Sequence, residues 1–476
     1  MKKLSPLDLS FLLMENSSSQ MHMACYLTLK IPERQKNSFV PTLLQAYRSG
    51  EVASPFNYRL KWLDKSVASW EEVEPDLSYH VRHIALPRPG NIQQFYELVA
   101  VLNAPLLDRN KPLWECYVIE GLEKNQCAVL IKMHHALLDG AAGLKMFRSS
   151  MNDNARDKSI RAMWGPIQEK PAKRPRVSSS RLEILTDRLS ALPRGLRGLT
   201  TELTDMGAQA LNIRPGTTRR PFGAKRTRLN NSPCSSERRY ANLELPLARV
   251  KAVSKATGKT VNDVLMTVID DALHHYLAEH GAPAGTPLVA MMPISMRTPG
   301  DESASNQAVA ALVEMGQTDA SPAQRLAQIH ESTLKTKHRN QKLPPALREL
   351  YSLVTLGSGN LLELSTSLQS MPSFNLVISN MIGPREQLYV GGAPLANFSG
   401  LPIVPPGGGL NVTFATIHNT INMAAGAAPE AIENPFQLTD RMLQSFAKLE
   451  QVSVPRRKKR TGIKPGKVVT KSRSPR

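Results

Sequence analysis

Cysteine is scarce, and the few present form no pattern. Cys25, Cys116, Cys127 and Cys234 are the chain's 4 cysteines, and their separations match no metal-binding framework. No apolar leader-type segment precedes them, so a reducing, cytoplasmic setting is expected. No stretch approaches the roughly 18–20 consecutive apolar residues that a membrane-spanning helix needs. Any work at a membrane therefore has to be done from its surface. Aromatic residues make up only 5% of the chain, and no recognised basic-aromatic module for reading nucleic acid is present. A Gly-x-Ser-x-Gly elbow is missing, which disfavours serine-hydrolase chemistry, and no solenoid-type repeat occurs.

What the chain has in excess is positive charge. The 60 Lys and Arg stand against 40 Asp and Glu, a formal net charge of +20, which calls for an acidic partner: nucleic acid, an anionic membrane surface or a phosphorylated small molecule. Much of the excess lies between residues 155 and 239 and after Pro455, away from the best motifs. That distribution argues against a nucleic-acid groove through the core. Apolar residues at 41% and charged residues at 21% describe an ordinary globular α/β chain. At 476 residues it exceeds what one hydrophobic core supports, and two domains are expected.

Strand-like and helix-like stretches alternate through 1–165. Residues 166–236 change texture: Lys170-Pro-Ala-Lys-Arg-Pro-Arg-Val-Ser-Ser-Ser180 is basic and rich in Pro and Ser, a crossover linker with a helical segment. The alternation resumes over 237–452, and 453–476, with its run Pro455-Arg-Arg-Lys-Lys-Arg460, reads as a disordered basic tail. Within the second half, Val261, Val264, Leu265, Val268, Ala272 and Tyr276 recur at helical spacing. Thr260-Val-Asn-Asp263 fits a capping signature at that helix's start. Asn262 then sits in the first turn, beside free backbone N–H groups and the positive end of the helix dipole.

The sharpest feature is a histidine pair. Cys127-Ala-Val-Leu-Ile-Lys-Met-His-His135 is an apolar run of strand length that ends in the pattern His134-His-Ala-Leu-Leu-Asp-Gly140. Adjacent strand residues point to opposite faces, so one imidazole can face a cavity while its neighbour packs inside, and a shared metal is disfavoured. An imidazole, with a pKa of about 6.5 in water, can accept a hydroxyl proton near neutral pH. Asp139 can orient the turn, cap the helix that follows, or pair with a cation.

These residues have company. Leu4-Ser-Pro-Leu-Asp8, Met21-His-Met23, Tyr79-His-Val-Arg-His83, Leu107-Asp-Arg-Asn-Lys-Pro-Leu-Trp-Glu115, Thr260-Val-Asn-Asp-Val264, Met292-Pro-Ile-Ser-Met-Arg297 and Asn375-Leu-Val-Ile-Ser-Asn-Met-Ile-Gly-Pro384 accompany the histidine pattern. Together they resemble the bacterial wax ester synthase/diacylglycerol acyltransferase family, a branch of the coenzyme A-dependent acyltransferases shaped like chloramphenicol acetyltransferase. The resemblance runs from Met1 to about Val452. It implies an α/β fold of two such lobes with the active-site tunnel at their interface. It also implies His135 as general base beside His134, with Asp139 and Gly140 maintaining the loop and Asp139 paired to a cation such as Arg297. Trp114 would support the acyl tunnel or the lobe interface, or simply pack in the core. Asn262 and Asp263 match the family's Asn-Asp pair, and Asn375 and Asn380 its late asparagine block. Two places depart from the pattern: Asn380-Met-Ile-Gly-Pro384 replaces Asn-Val-Pro-Gly-Pro, and Ala415-Thr-Ile-His-Asn419 replaces a Ser-Tyr pair.

The expected activity is O-acyl transfer from acyl-CoA to a fatty alcohol or diacylglycerol, by direct attack with a histidine base. Acyl-CoA is a substrate here, and no cofactor or metal is expected. The oxyanion needs hydrogen-bond donors, for which Asn262 is the candidate and Asn380 its competitor; the plain alternative for Asn262 is an ordinary first-turn residue. The competing functions are a lipid-droplet-binding member with weak catalysis and an acyltransferase with another acceptor. The expected location is the cytoplasm, at the inner membrane face or lipid inclusions.

Overall fold

A computed structural model describes residues 2–4, 6–63, 67–138, 140–166, 223–230, 235–295, 308–342, 372–405 and 407–454. Asp139, Arg297, the basic linker around Lys170 and the tail from Pro455 lie outside the described residues.

The first half runs β1 (Lys2–Lys3), α1 (Pro6–Met14), β2 (His22–Lys30), α2 (Phe39–Ser49), β3 (Tyr58–Leu63), β4 (Val67–Glu72), α3 (Leu77–His80), β5 (Val81–Ala85), α4 (Ile92–Asn103), β6 (Trp114–Leu122), β7 (Gln126–His134) and α5 (Gly140–Ser149). The second half runs β8 (Arg239–Pro246), α6 (Leu247–Thr257), α7 (Val261–Glu279), β9 (Val289–Ser295), β10 (Ala308–Glu314), α8 (Pro322–Lys342), β11 (Leu376–Ile382), β12 (Tyr389–Val390), β13 (Ala393–Leu401), β14 (Leu410–Ile417), β15 (Thr420–Ala427) and α9 (Pro435–Ser453). Two mixed six-stranded sheets, ordered β12-β13-β2-β7-β6-β5 and β10-β9-β11-β14-β15-β8, form the two lobes. The expected α/β fold is thus present.

The lobes share strands. β13, from the second half of the chain, pairs antiparallel with β2, Leu401 opposite Ala24, and so completes the first lobe's sheet. No hydrophobic pattern announces this exchange: β13 is short of regular alternation, its register with β2 shifting between Leu395 and Asn397.

Alternation along β7 sets the faces of the first sheet. Val129, Ile131 and Met133 join the core that includes Phe39, Leu43 and Trp114, whereas Ala128 and Leu130 face the α4 side with Phe95 and Val99. Lys132 and His134 share that second face by the period of two. In the second sheet, Leu376, Ile378, Leu410, Val412 and Phe414 pack with α7. The alternate residues Met381, Ala415 and Ile417 pack against the first lobe's core. The second sheet therefore lies between its own helices and the first lobe.

α7 begins where the sequence predicts. Thr260 accepts from the Asp263 amide and the Asp263 side chain returns a bond to the Thr260 amide, a reciprocal capping box.

Candidate active site at the end of strand β7

β7 ends at His134, which stands opposite His22 across the sheet. The His134 amide donates to Leu113 O at 2.9 Å and the His135 amide to Met21 O at 2.9 Å. The chain then turns, Leu137 N bonding back to His134 O at 3.0 Å. The His134 side chain is fully buried. Its Nδ1 accepts from the Ala136 amide at 3.0 Å, which leaves a neutral ring carrying its hydrogen on Nε2. Nε2 stands 3.4 Å from Glu15 Oε1.

Glu15 is the centre of this arrangement. Its Oε1 also accepts from the Met21 amide at 3.1 Å, and its Oε2 accepts from Arg109 at 3.2 Å. Burial alone would raise the carboxyl's pKa; His134, the Met21 amide and Arg109 outweigh it and hold the group at about 2. Behind it, His22 meets Asn103 O at 2.8 Å, and Lys132 Nζ reaches Pro105 O and Leu102 O. These carbonyls belong to the last turn of α4 and the residues just after it, where backbone acceptors lack helical partners and the dipole is negative. Burial lowers His22 to about 3 and Lys132 to about 8.

His135 is different. It is half-buried, and its ring lies flat on Phe11 of α1, 4.4 Å between centroids at 20°. Of the two histidines it alone keeps a solvent-accessible part while its backbone is fixed. Gly140 is the first residue of α5.

The second-lobe candidates separate into two groups. Asn380 Nδ2 donates to Asn262 Oδ1 at 2.9 Å, so the structure joins these two on the α7 side of β11. By alternation their neighbours Ser379 and Met381 face the first lobe, as does Thr413, the register partner of Ser379 on β14. Ser379 was not among the expected residues. Its signal was the period of two in Leu376-Val-Ile-Ser379, legible only once the lobe-facing side is known.

Three residues expected to contact substrate have their polar atoms engaged within the protein. Trp114 has no exposed surface; its indole donates to Phe56 O at 2.8 Å and stacks between His80 and Trp164. Asp263 is enclosed: Oδ2 takes the Thr260 amide and hydroxyl and His330 Nδ1, and Oδ1 takes the Thr333 hydroxyl. Asn375 directs its amide at backbone, accepting from Val289 N and donating to Lys225 O, both at 2.8 Å. Each has its polar groups satisfied by the protein.

Within Ala415-Thr-Ile-His-Asn419, Ala415 and Ile417 fill the interlobe core, and His418 makes the β14–β15 turn at φ +50. Gly383 lies so close to this turn that a Cβ there would stand 2.2 Å from Ile417 Cδ1. Two cavities, of about 60 Å³ beside His418 and about 430 Å³ beside Glu51, Glu72 and Glu74, are lined by neither His135 nor Ser379.

Residues 4–265 match the model of the wax ester synthase/diacylglycerol acyltransferase catalytic domain, and residues 304–450 that of the WS/DGAT C-terminal domain. A probable diacylglycerol O-acyltransferase, Tgs4, of Mycobacterium tuberculosis is 48% identical over 458 residues, 94% of this chain and 97% of the relative. The O-acyltransferase WSD of Acinetobacter baylyi is 33% identical over 441 residues, 91% and 93% of the two chains. Among solved structures, the wax ester synthase/diacylglycerol acyltransferase of Marinobacter aquaeolei superposes with a TM-score of 0.73 at 26% identity, covering 95% of this chain and 100% of that one. The first condensation domain of the calcium-dependent antibiotic synthetase shares the fold, with a TM-score of 0.56 at 13% identity over 95% and 96% of the chains.

Proposed function

The chain belongs to the wax ester synthase/diacylglycerol acyltransferase family and is an acyltransferase, and on that premise we propose that it moves a long-chain acyl group from acyl-CoA to a fatty alcohol or diacylglycerol. His135 is the general base. The observation that carries this reading is a half-buried imidazole whose backbone is fixed at a strand end, next to a histidine that is wholly buried. The ring takes the acceptor's hydroxyl proton as the oxygen attacks the thioester carbonyl. It then returns that proton to the departing thiolate, so a single side chain serves both transfers. The route uses no covalent acyl-enzyme and no metal.

For the developing oxyanion, the direction of β11 favours the Ser379 hydroxyl over Asn262. Ser379 faces the lobe that carries His135, whereas Asn262 is engaged with Asn380 on the helix side. Asn262, in the first turn of the 19-residue α7, and Asn380 on β11 then hold the end of that strand in place. The acyl channel runs along the lobe interface.

No helix among the described residues is long and apolar enough to cross a membrane. The lipid substrates are reached by peripheral attachment to a membrane or lipid inclusion, aided by the chain's positive charge. Incubation with palmitoyl-CoA and either hexadecanol or a diacylglycerol, followed by thiol release and neutral lipid, tests the activity. Thiol release matched by ester formation supports it; neither product from wild type, under conditions where acyl-CoA binds, would sink it in favour of a lipid-coating role.

A further inference from the structure

We infer that Glu15 is the positioning residue of the His134–His135 turn, an assignment that rests on the proposed role of His135. Glu15 follows directly on α1, and nothing in its sequence neighbourhood marks it. Its side chain is nevertheless almost fully buried, at 1% exposure, and each of its oxygens meets a separate part of the site. Oε1 holds the Met21 amide and faces His134 Nε2; Oε2 holds Arg109, which also donates to Leu12 O at 2.7 Å.

The consequence passes through the backbone. The Glu15 carboxylate stands 3.4 Å from Nε2 without meeting it in hydrogen-bond geometry, and its negative charge favours the His134 tautomer that carries hydrogen on Nε2. That tautomer leaves Nδ1 to accept from the Ala136 amide, and this bond shapes the turn in which His135 sits. From the other side, the amide of Met21 is tied to Glu15 while its carbonyl holds the His135 amide. The same short segment supplies Phe11, stacked on the His135 ring. Residues 11–21 therefore fix both the backbone and the ring face of the base. Arg109 sits in the Leu107–Glu115 motif, which gives that motif a part in the site that Trp114 does not.

The contacts of Glu15 converge on the turn that carries His135, and it is this convergence that assigns Glu15 to orientation. Glu15→Ala removes every acceptor, while Glu15→Gln keeps one acceptor oxygen of two and should rescue in part. Misplacement of a catalytic group by about 1 Å costs on the order of 10²-fold in rate. The Glu15→Ala enzyme is accordingly expected to lose about that much kcat in thiol release with its acyl-CoA KM within about twofold, and Glu15→Gln to recover about tenfold of the loss.

A second readout is independent of turnover. With ¹⁵N-labelled histidine, the His134 ring, identified by the signals missing in His134→Asn, should show the neutral Nε2–H form in wild type and a mixed or Nδ1–H form in Glu15→Ala. An unchanged tautomer in Glu15→Ala, a wild-type kcat, or a loss confined to KM overturns the assignment. If wild type itself transfers no acyl group, the acyltransfer reading has failed, and the tautomer still decides the role of Glu15.

Discussion

Each lobe buries a set of charged and titratable side chains, and the two sets look alike until their ends are followed. In the first lobe Glu15, His22, Lys132 and His134 sit behind β7. In the second, Asp270, Asp271, His274 and Arg325 sit among α7, α8 and α9. Arg325 pairs with Asp270, which also accepts from the Gly316 amide at 3.0 Å, and Ser445 of α9 donates to Asp271 at 2.6 Å. Burial, opposed by Arg325, pushes Asp270 up to about 7, and burial together with the charge of Arg325 lowers His274 to about 4. These displacements are as large as those of His22 and Lys132. A perturbed pKa therefore does not separate the two sets, although it is a common pointer to function. Their connections do: the first set ends on the backbone of a half-buried imidazole, the second on helix-to-helix contacts.

The contrast breaks first at His135. His135→Ala should lower turnover by about 10²–10⁴-fold, the range for removing a general base, with the urea midpoint nearly unchanged because the ring is half-buried. A loss of stability comparable to the loss of rate would merge the two sets. Arg325→Met is the mirror case: it removes the guanidinium that joins Asp270 and Asp271 and should cost about 3–5 kcal/mol of unfolding free energy, while turnover per folded molecule stays within about twofold. Denaturant titration alongside active-site-normalised rates distinguishes the two outcomes.

Within the second lobe, the side of β11 is the variable. Ser379→Ala should reduce kcat by about 10²-fold, as for loss of one oxyanion donor, and Asn262→Ala by less than about tenfold. The reverse order would return the donor to the helix side. A separate comparison concerns acid stability. Glu15's carboxyl is held at about 2 against an ordinary 4.5, so its contribution is complete above the unfolded value and is lost as pH falls through 4.5 toward 2. The sum is on the order of 3 kcal/mol. His22 works in the same direction, since the unfolded chain takes up its proton below 6.5 and the folded one only near 3. Urea midpoints measured from pH 7 to 3 should therefore fall more steeply in wild type than in Glu15→Gln; parallel curves would remove Glu15 from the acid response.

Much of this was legible beforehand, and for identifiable reasons. The β7 run and the α7 helix carry strong local periodicity, and Thr260 with Asp263 forms the box that its spacing implies. The pattern of residues 134–140 begins where β7 ends, as its apolar run implies. What escaped depends on contacts between distant segments. Glu15 lies 119 positions before His134, β13 crosses into the other lobe's sheet, and the facing of Ser379 follows from which side of β11 the first lobe covers. For Trp114, Asp263 and Asn375 the motif gives position along the chain, whereas the partners of their polar atoms, Phe56 O, Thr260 and Val289 N, come from the fold.

The most direct test is single-turnover thiol release from palmitoyl-CoA in the presence of a lipid alcohol, with wild type, His135→Ala and Arg325→Met at equal folded concentration. The expected result is a rate at least about 10²-fold lower for His135→Ala and a near-normal rate for Arg325→Met. A His135→Ala protein that releases thiol and forms ester as fast as wild type would contradict the assignment of His135 as the base.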